Sequence, residues 1–318
     1  MEQVRDPVLR ADMSVRELIE AYGEIHGFMA GHLYHAVELL REGLSKSKLR
    51  ILTFTGNLVS TGLRGVFADL IGRGLFNVII TTTGALDHDI ARAMGGEYLK
   101  GYFEADDVEL YDKGYHRLGN IFIPLDSYGP KVEEFVRKLF DKIESSGRSR
   151  WATYEIARLA GSLISDERSF LKKAYEAGAY VFVPGWPDGA FGTSLFMEAQ
   201  RRGSSVVVDY FLDMKKLSDI FFPSKDREAA ALIIGGGISK HHAIWWSQFR
   251  DGLDYTVYVT TACEYDGSLS GAHPREAITW GKLKPRAKRT VVYGDATIIV
   301  PIIAVALQDV EPCCGLED

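Results

Sequence analysis

One short segment of the sequence combines an amine, an aromatic ring and a carboxylate. Lys282 follows Trp280 by two residues and Glu276 by six. A lysine whose pKa is lowered by desolvation or a nearby cation can attack an imine or carbonyl carbon and hold the fragment covalently. Tryptophan binds a cation over its face with about 0.5 to 2 kcal/mol, and glutamate pairs with ammonium groups. The segment suits covalent chemistry on a polyamine if Lys282, unlike most lysines, is buried.

Two adjacent histidines supply a candidate base. His241 and His242 follow the glycine-rich residues 235–237 at the predicted start of a helix, where one imidazole can accept a proton near a nucleotide. Neighbouring residues of a helix point in different directions, so the pair is a poor joint metal site. Since no C-x-x-C or H-x-x-x-H spacing occurs, we predict no metal.

Three segments rich in glycine or hydroxyl residues follow predicted strands, at residues 55–60, 82–84 and 235–237. Such segments can bring backbone N–H groups close to a phosphate at the start of a helix. No G-x-G-x-x-G motif is present, and any one segment alone is more often a tight turn. Carboxylates beyond strand ends can bind ribose hydroxyls or cap the next helix, and this applies to Asp87, Asp188 and Asp295. A nucleotide site and a set of turns and caps remain alternatives.

Hydrophobic periodicity predicts an α/β fold with a helical arm. Apolar residues recur at helical spacing from Ser14 to about Leu44, and Ser14 with Glu17 forms a capping box. Short apolar runs that alternate with helical stretches then predict βαβ units and a mostly parallel sheet. We predict an arm at residues 1–44 and one catalytic domain at residues 45–318. The predicted strands are residues 50–54, 77–81, 120–123, 180–183, 205–208, 231–234, 255–259 and 290–293.

Composition excludes several classes of protein. The chain has 318 residues, 46% of them hydrophobic and 25% charged, and a formal charge of -6, which fits a globular protein and argues against nucleic-acid binding. The apolar run at residues 296–307 is too short to span a membrane, and the N-terminus lacks a signal-peptide pattern. Cys263, Cys313 and Cys314 make a poor disulfide framework. These features predict a cytoplasmic protein.

Several motifs in one order resemble the deoxyhypusine synthase family, between about residues 52 and 307. They are GGGISKHH at 235–242, EYDGS at 264–268, WGK at 280–282 and YGDA at 293–296. The segments GSLSG at 267–271 and TGALDHD at 83–89 are similar to the archaeal branch of that family. The resemblance implies a doubly wound, Rossmann-like NAD-binding fold, and a homotetramer with active sites between paired subunits.

The resemblance also implies a reaction. With NAD, spermidine is dehydrogenated, its aminobutyl part forms an imine with an enzyme lysine, and this part passes to one lysine of a translation initiation factor precursor. The family's covalent lysine matches Lys282 and its proton-accepting histidine matches His241. Positions matched to the polyamine site are Glu276, Trp280, Tyr258, Asp266, Gly267, Ser268, His88 and Thr193. Positions matched to the NAD site are Asn57, Ser60, Thr82, Thr83, Gly84, Asp87, Asp188, Gly236, Thr261, Ala262, Asp295 and Ala296.

The chain departs from the eukaryotic pattern of the family at four positions. Thr193 and Leu269 replace aspartates, Trp245 replaces an asparagine, and His88 replaces a glutamate. Each lost carboxylate removes an ammonium partner worth roughly 1.5 to 3 kcal/mol. Charge recognition of the polyamine must therefore differ, and Glu264, Asp266 or Asp87 are candidates to compensate.

Three other functions compete with this interpretation. A related transferase would send the aminobutyl group to a free amine, as in homospermidine synthesis, or would start from another amine. A non-catalytic NAD-binding subunit would stabilise an active partner, which the presence of Lys282 and His241 argues against. A plain dehydrogenase would release its product and accumulate NADH.

Overall fold

The computed structural model describes residues 2–313, so Cys314 lies outside the described residues. Its strands are β1 Leu49–Thr53, β2 Val78–Ile80, β3 Leu99–Lys100, β4 Tyr115–Leu118, β5 Ile121–Pro124, β6 Arg150–Trp151, β7 Tyr180–Phe182, β8 Val207–Val208, β9 Ala229–Ile234, β10 Leu253–Thr260 and β11 Leu283–Tyr293. Its α-helices are α1 Val15–Ile25, α2 Met29–Lys46, α3 Gly56–Val59, α4 Leu63–Gly72, α5 Thr83–Ala93, α6 Asp107–Asp112, α7 Gly129–Ser145, α8 Thr153–Leu163, α9 Phe170–Glu176, α10 Ala190–Arg202, α11 Tyr210–Phe221, α12 Gly237–Ser247, α13 Glu276–Thr279 and α14 Ala296–Ala306. Four short 3-10 helices lie at Leu125–Ser127, Phe222–Ser224, Gln248–Arg250 and Glu264–Asp266.

The chain divides into two compact units that each contain several chain segments. The first unit comprises Met1–Phe54, Arg73–Ile80 and Leu217–Asp318, and the second comprises Thr55–Gly72 and Thr81–Lys216. The predicted arm at residues 1–44 falls in the first unit. Its boundary at residue 44, and a single catalytic domain at residues 45–318, stay predictions.

The first unit is built on parallel strands buried on both sides. They pair in the order β11, β10, β9, β1, β2, with Leu52 opposite Ile79 on one side and Leu232 on the other. Every residue of β1, β2 and β9 is buried, which explains why these strands read as continuous apolar runs. The α/β class and the mostly parallel sheet predicted from sequence are confirmed.

The predicted helical arm consists of two helices, α1 and α2, with a break between them. Helix α1 begins with the predicted capping box, in which Ser14 Oγ accepts from the Glu17 amide and the Glu17 carboxylate accepts from the Ser14 amide at 2.7 Å. The helix ends at Ile25. The next residue, His26, has positive φ, and so does Phe28. Helix α2 then packs against β10 and β11, with Gly43 lying against the Tyr255 ring.

The second unit contains smaller sheets that the sequence did not predict as such. Strands β3, β5 and β4 form an antiparallel sheet, and β6 pairs in parallel with β8. The predicted strand at residues 120–123 is present as β5, but its antiparallel pairing contradicts the parallel βαβ pattern. The predicted strand at residues 205–208 shortens to two residues. Within this unit the Thr81 amide donates to the carbonyl of Phe182 in β7 at 3.0 Å.

Among residues 2–313, no helix combines the length and apolar character needed to cross a membrane.

Candidate active site

Lys282 is buried at the junction between α13 and β11. Its side chain is 8% exposed, which meets the condition that the sequence left open. Its backbone N–H donates to the Ala277 carbonyl at 3.0 Å, and its carbonyl accepts from the Leu253 amide at 3.1 Å. Gly281, with φ of 65°, makes the turn that leads from the helix into the strand. The amine is therefore held in the first unit by ordered backbone on both sides.

Two indole rings flank the Lys282 amine. Its Nζ lies 5.3 Å from the Trp280 ring centroid and 5.9 Å from that of Trp245. Both distances fall within the range of cation–π attraction. Trp280 was expected at the polyamine, whereas Trp245 entered the sequence analysis only as a departure from the eukaryotic pattern. The structure brings both rings to the same amine.

Helix α12 directs the two histidines to different sides. His241 stacks on Trp245, four residues later, with centroids 5.9 Å apart and planes at 30°, whereas His242 makes an edge contact with Trp246. Burial and then the Lys282 charge lower the pKa of His241. Burial and then His241 lower the pKa of His242 to about 4. His241 is thus a neutral imidazole beside the buried amine, as a proton acceptor requires.

Lys240 is a buried residue whose part in this neighbourhood the sequence analysis missed. Its side chain is 1% exposed, and its Nζ donates to the Ala272 carbonyl at 2.8 Å and lies 4.1 Å from the Tyr258 ring centroid. Burial lowers the pKa of Lys240 to about 8, and the charge of Glu276 opposes that shift. Among residues 2–313 the buried Tyr258 hydroxyl has no hydrogen-bond partner, which supports its predicted contact with a ligand.

The loop before α13 is held by its own polar groups. Asp266 accepts from the Ser268 amide at 2.7 Å across the turn at Gly267, where φ is 70°. Glu264 pairs with Arg275 at 2.8 Å. Asp266, Gly267 and Ser268 are exposed in this turn, and their predicted contact with the polyamine stays a prediction.

In the second unit, the predicted cofactor segments pack closely through glycine. A Cβ on Gly56 would lie 2.6 Å from the backbone carbon of Gly84, and the Gly56 amide donates to Thr82 Oγ1 at 3.1 Å. Thr82 makes no side-chain cap to α5, which leaves the first turn of that helix suited to an anion. Ser60 and Asn57 lie in the same segment, where Ser60 Oγ donates to the Asn57 carbonyl.

Other predicted residues of the second unit are already engaged. Thr83 Oγ1 donates to the Gly185 carbonyl at 2.9 Å. Asp87 accepts from the amides of Ala190 and Phe191, at 2.9 and 2.7 Å, so it caps α10 from outside that helix. Burial raises the pKa of Asp87 to about 6. Asp188 is exposed beside this cap.

The two remaining polyamine candidates also lie in the second unit. His88 is buried, and its Nδ1 lies 2.8 Å from the Tyr98 hydroxyl; burial lowers the pKa of His88 to about 4. Thr193 is exposed on α10 at the rim of an apolar cavity of about 340 Å³ that is lined in part by Trp186 and Phe196. Their assignment to the polyamine stays a prediction.

The first unit carries the rest of the predicted cofactor residues. Asp295 caps α14 by accepting from the Thr297 amide at 2.8 Å, which is the helix-cap alternative from the sequence analysis. Ala296 is the first residue of that helix. Gly236 precedes α12, and a Cβ there would lie 2.4 Å from the Ser270 backbone. Thr261 and Ala262 follow β10, where the Ala262 amide donates to Thr260 Oγ1.

The start of α5 in the second unit and the start of α12 in the first each lack a side-chain cap, so the backbone N–H groups of each first turn suit an anion such as a phosphate. Within residues 2–313 no group of three or more His, Cys, Asp or Glu side chains is arranged to hold a metal ion. That the protein needs no metal stays a prediction.

Comparison with known proteins identifies the family. The family model described as deoxyhypusine synthase matches residues 17–307. A "probable deoxyhypusine synthase" of Aeropyrum pernix is 68% identical over 308 residues, covering 96% of this chain and 98% of the relative. Another, of Ignicoccus hospitalis, is 53% identical over 305 residues, with 95% and 94% covered.

A solved structure supports the fold. The crystal structure of a candidate deoxyhypusine synthase from Entamoeba histolytica aligns with a TM-score of 0.65 at 18% identity, covering 95% of this chain and 96% of that one. The family match and the archaeal relatives together span nearly all of the elements described above. The chain therefore belongs to the deoxyhypusine synthase family, which is a family of transferases.

Proposed function

We propose that this protein uses NAD to transfer the aminobutyl group of spermidine first to Lys282 and then to one lysine of a translation initiation factor precursor. The observation that carries the proposal is the burial of the Lys282 amine between two indole rings, beside a neutral His241. The low exposure of Lys282 keeps bulk water away from the nitrogen that must attack, and His241 is placed to accept a proton.

The chain's own residues account for the transfer steps. Bound NAD would supply the hydride acceptor for oxidation of the polyamine and the hydride donor for the final reduction, so that the cycle is redox-neutral. His241 accepts the proton that leaves the donor nitrogen during oxidation. The Lys282 nitrogen then attacks the oxidised carbon, a new C–N bond forms, and the bond to the leaving diamine breaks. The factor lysine repeats this exchange, which frees Lys282 and leaves an imine on the factor; addition of the returned hydride to this imine gives the aminobutyl-lysine.

The polyamine and cofactor assignments belong to this proposal. The Lys240 amine lies 4.1 Å from the Tyr258 ring centroid, and the Glu276 charge opposes the burial that lowers the pKa of Lys240. These two residues interact with a cation here, which supports a cation site in the first unit. The NAD contacts matched to each unit, the homotetramer and the cytoplasmic location stay predictions.

Replacement of the nucleophile tests the proposal. We expect Lys282→Ala to abolish transfer of label from spermidine to the factor while NAD still binds. Borohydride added with NAD and spermidine should trap a covalent adduct on Lys282 of the unmodified protein, located by peptide mass analysis. Lys288→Ala is the matched control, because Lys288 is exposed and pairs with Glu42; it should keep full transfer.

The competing functions give different results in the same assay. Label found in small amines alone would indicate homospermidine-type transfer. Accumulation of NADH with turnover, followed by absorbance, would indicate a dehydrogenase. Absence of any adduct at saturating spermidine would favour a non-catalytic subunit.

A further inference from the structure

We propose that Trp245 is a positioning residue that also stabilises positive charge on the Lys282 nitrogen, by sharing that nitrogen with Trp280 and by stacking on His241. This inference rests on the proposed function and deepens it, because it names how the site holds the charge of the aminobutyl group. Recognition of the polyamine would then depend on aromatic rings in place of the two aspartates of the eukaryotic pattern that this chain lacks.

The His241 imidazole and the Lys282 amine both lie near the Trp245 ring. Trp245 follows His241 by four residues on α12, so both side chains lie on one face of the helix, and their rings stack at 5.9 Å and 30°. The Lys282 Nζ lies 5.9 Å from the same indole. Trp245 is 42% exposed, so a substrate can reach its ring.

Two carboxylates of the loop before α13 already have partners. Glu264 pairs with Arg275, and Asp266 accepts from the Ser268 amide. Leu269, in the same loop, is apolar and cannot form an ion pair. A cation on the Lys282 nitrogen therefore meets two indole faces, and indole is the side chain whose face binds cations best.

The charge matters at one step in particular. When the Lys282 nitrogen has displaced the diamine, the resulting imine is protonated and carries its positive charge on that nitrogen. The rings that lie within 5.9 Å of the amine then face this cation, because the imine nitrogen is the same atom. Loss of Trp245 should therefore slow formation of the adduct more than it weakens binding of spermidine.

Two variants of Trp245 and one of its neighbour test this role. With NAD and spermidine, we expect Trp245→Leu to lower the rate of formation of the borohydride-trapped adduct by about 5- to 30-fold, the loss that a cation–π contact of this strength implies, with KM for spermidine changed less than threefold. Trp245→Phe should recover most of the rate, because phenylalanine keeps a π face. Trp246→Phe is the matched control, since the Trp246 ring faces Phe221 and Phe249; it should keep the rate.

The inference is overturned if Trp245→Leu forms the adduct within twofold of the unmodified protein, or if Trp245→Phe is as slow as Trp245→Leu. It is also overturned if the loss follows a lowered melting temperature and appears equally in Trp246→Phe. Failure of the proposed function looks different, because in that case the unmodified protein forms no adduct on Lys282 at all.

Discussion

The amine of Lys282 and the imidazole of His241 come from segments about forty residues apart in sequence, yet both lie against the Trp245 ring. Their proximity has an electrostatic consequence, since the Lys282 charge and burial together lower the pKa of His241. A base that is neutral at pH 7 is ready to accept a proton.

Substitution of the two histidines should separate catalysis from packing. We expect His241→Ala to slow adduct formation by about 10²- to 10⁴-fold, the usual effect of losing a general base. His242→Ala should instead lower the melting temperature and keep adduct formation within a few-fold, because His242 faces Trp246. Stopped-time borohydride trapping and thermal unfolding of both variants would measure this. Equal losses of rate in the two variants would contradict the assignment of the base to His241.

At the level of residues, type and spacing predicted the candidates but not their surroundings. Lys282, Trp280 and His241 were identified from sequence, and the structure places them together. Lys240 was missed because a buried lysine looks like any other lysine in sequence, and only its contacts with Ala272 and Tyr258 reveal it. Asp295 caps its helix, which spacing alone could not distinguish from a ribose contact.

The close contact between Gly56 of α3 and the Gly84 backbone sets the distance between α3 and α5. The backbone of Gly84 lies where a side chain on Gly56 would be, so a larger residue at position 56 must push the two segments apart. Backbone atoms cannot rotate away as a flexible side chain can, and overpacking of this kind costs typically 1 to 3 kcal/mol.

A pair of glycine substitutions in the second unit tests this packing. Gly56→Ala should lower the free energy of unfolding by about 1 to 3 kcal/mol and weaken NAD binding. Gly65→Ala, in α4, has open space around its new methyl group and should stabilise the protein by up to about 1 kcal/mol. Denaturant unfolding and NAD titration give both quantities. Unchanged stability of Gly56→Ala would mean that the contact with Gly84 is not as close as described.

Buried strands could be predicted well, and exposed ones could not. The runs that became β1, β2, β9 and β10 are largely apolar, and their positions were predicted within about two residues. The first half of β11 contains charged residues and Pro285, and only residues 290–293 were predicted as a strand. The break between α1 and α2 depends on positive φ at His26 and Phe28, for which Gly27 was the only local signal.

Over the whole molecule, two buried carboxyls of the second unit link stability to pH. Burial raises the pKa of both Asp87 and Asp213 to about 6, whereas an unfolded aspartate titrates near 3.9. Between these values the unfolded chain releases protons that the folded chain still holds. The stabilisation is therefore complete below about pH 4 and is lost as the pH rises through about 6.

Asp213→Asn should remove part of this pH dependence. Asp213 accepts hydrogen bonds from the Thr153 amide and hydroxyl, both at 3.0 Å, and a shift of about two units corresponds to about 3 kcal/mol. We expect the unmodified protein to lose more stability than Asp213→Asn between pH 4 and 7, measured by denaturant unfolding. Asp112→Asn, at an exposed position, is the control for removal of one charge. Parallel pH curves for Asp213→Asn and the unmodified protein would contradict the raised pKa.

The backbone hydrogen bonds on either side of Lys282 restrict how the protein can deliver its cargo. In carrier proteins, a flexible hinge moves a modified lysine between active sites. The hydrogen-bonded backbone around Lys282 does not allow such a movement. Under the proposed function, the donor polyamine and the acceptor lysine must therefore both come to the Lys282 nitrogen. On that proposal the acceptor protein, and not Lys282, supplies the movement that brings the donor and acceptor groups together.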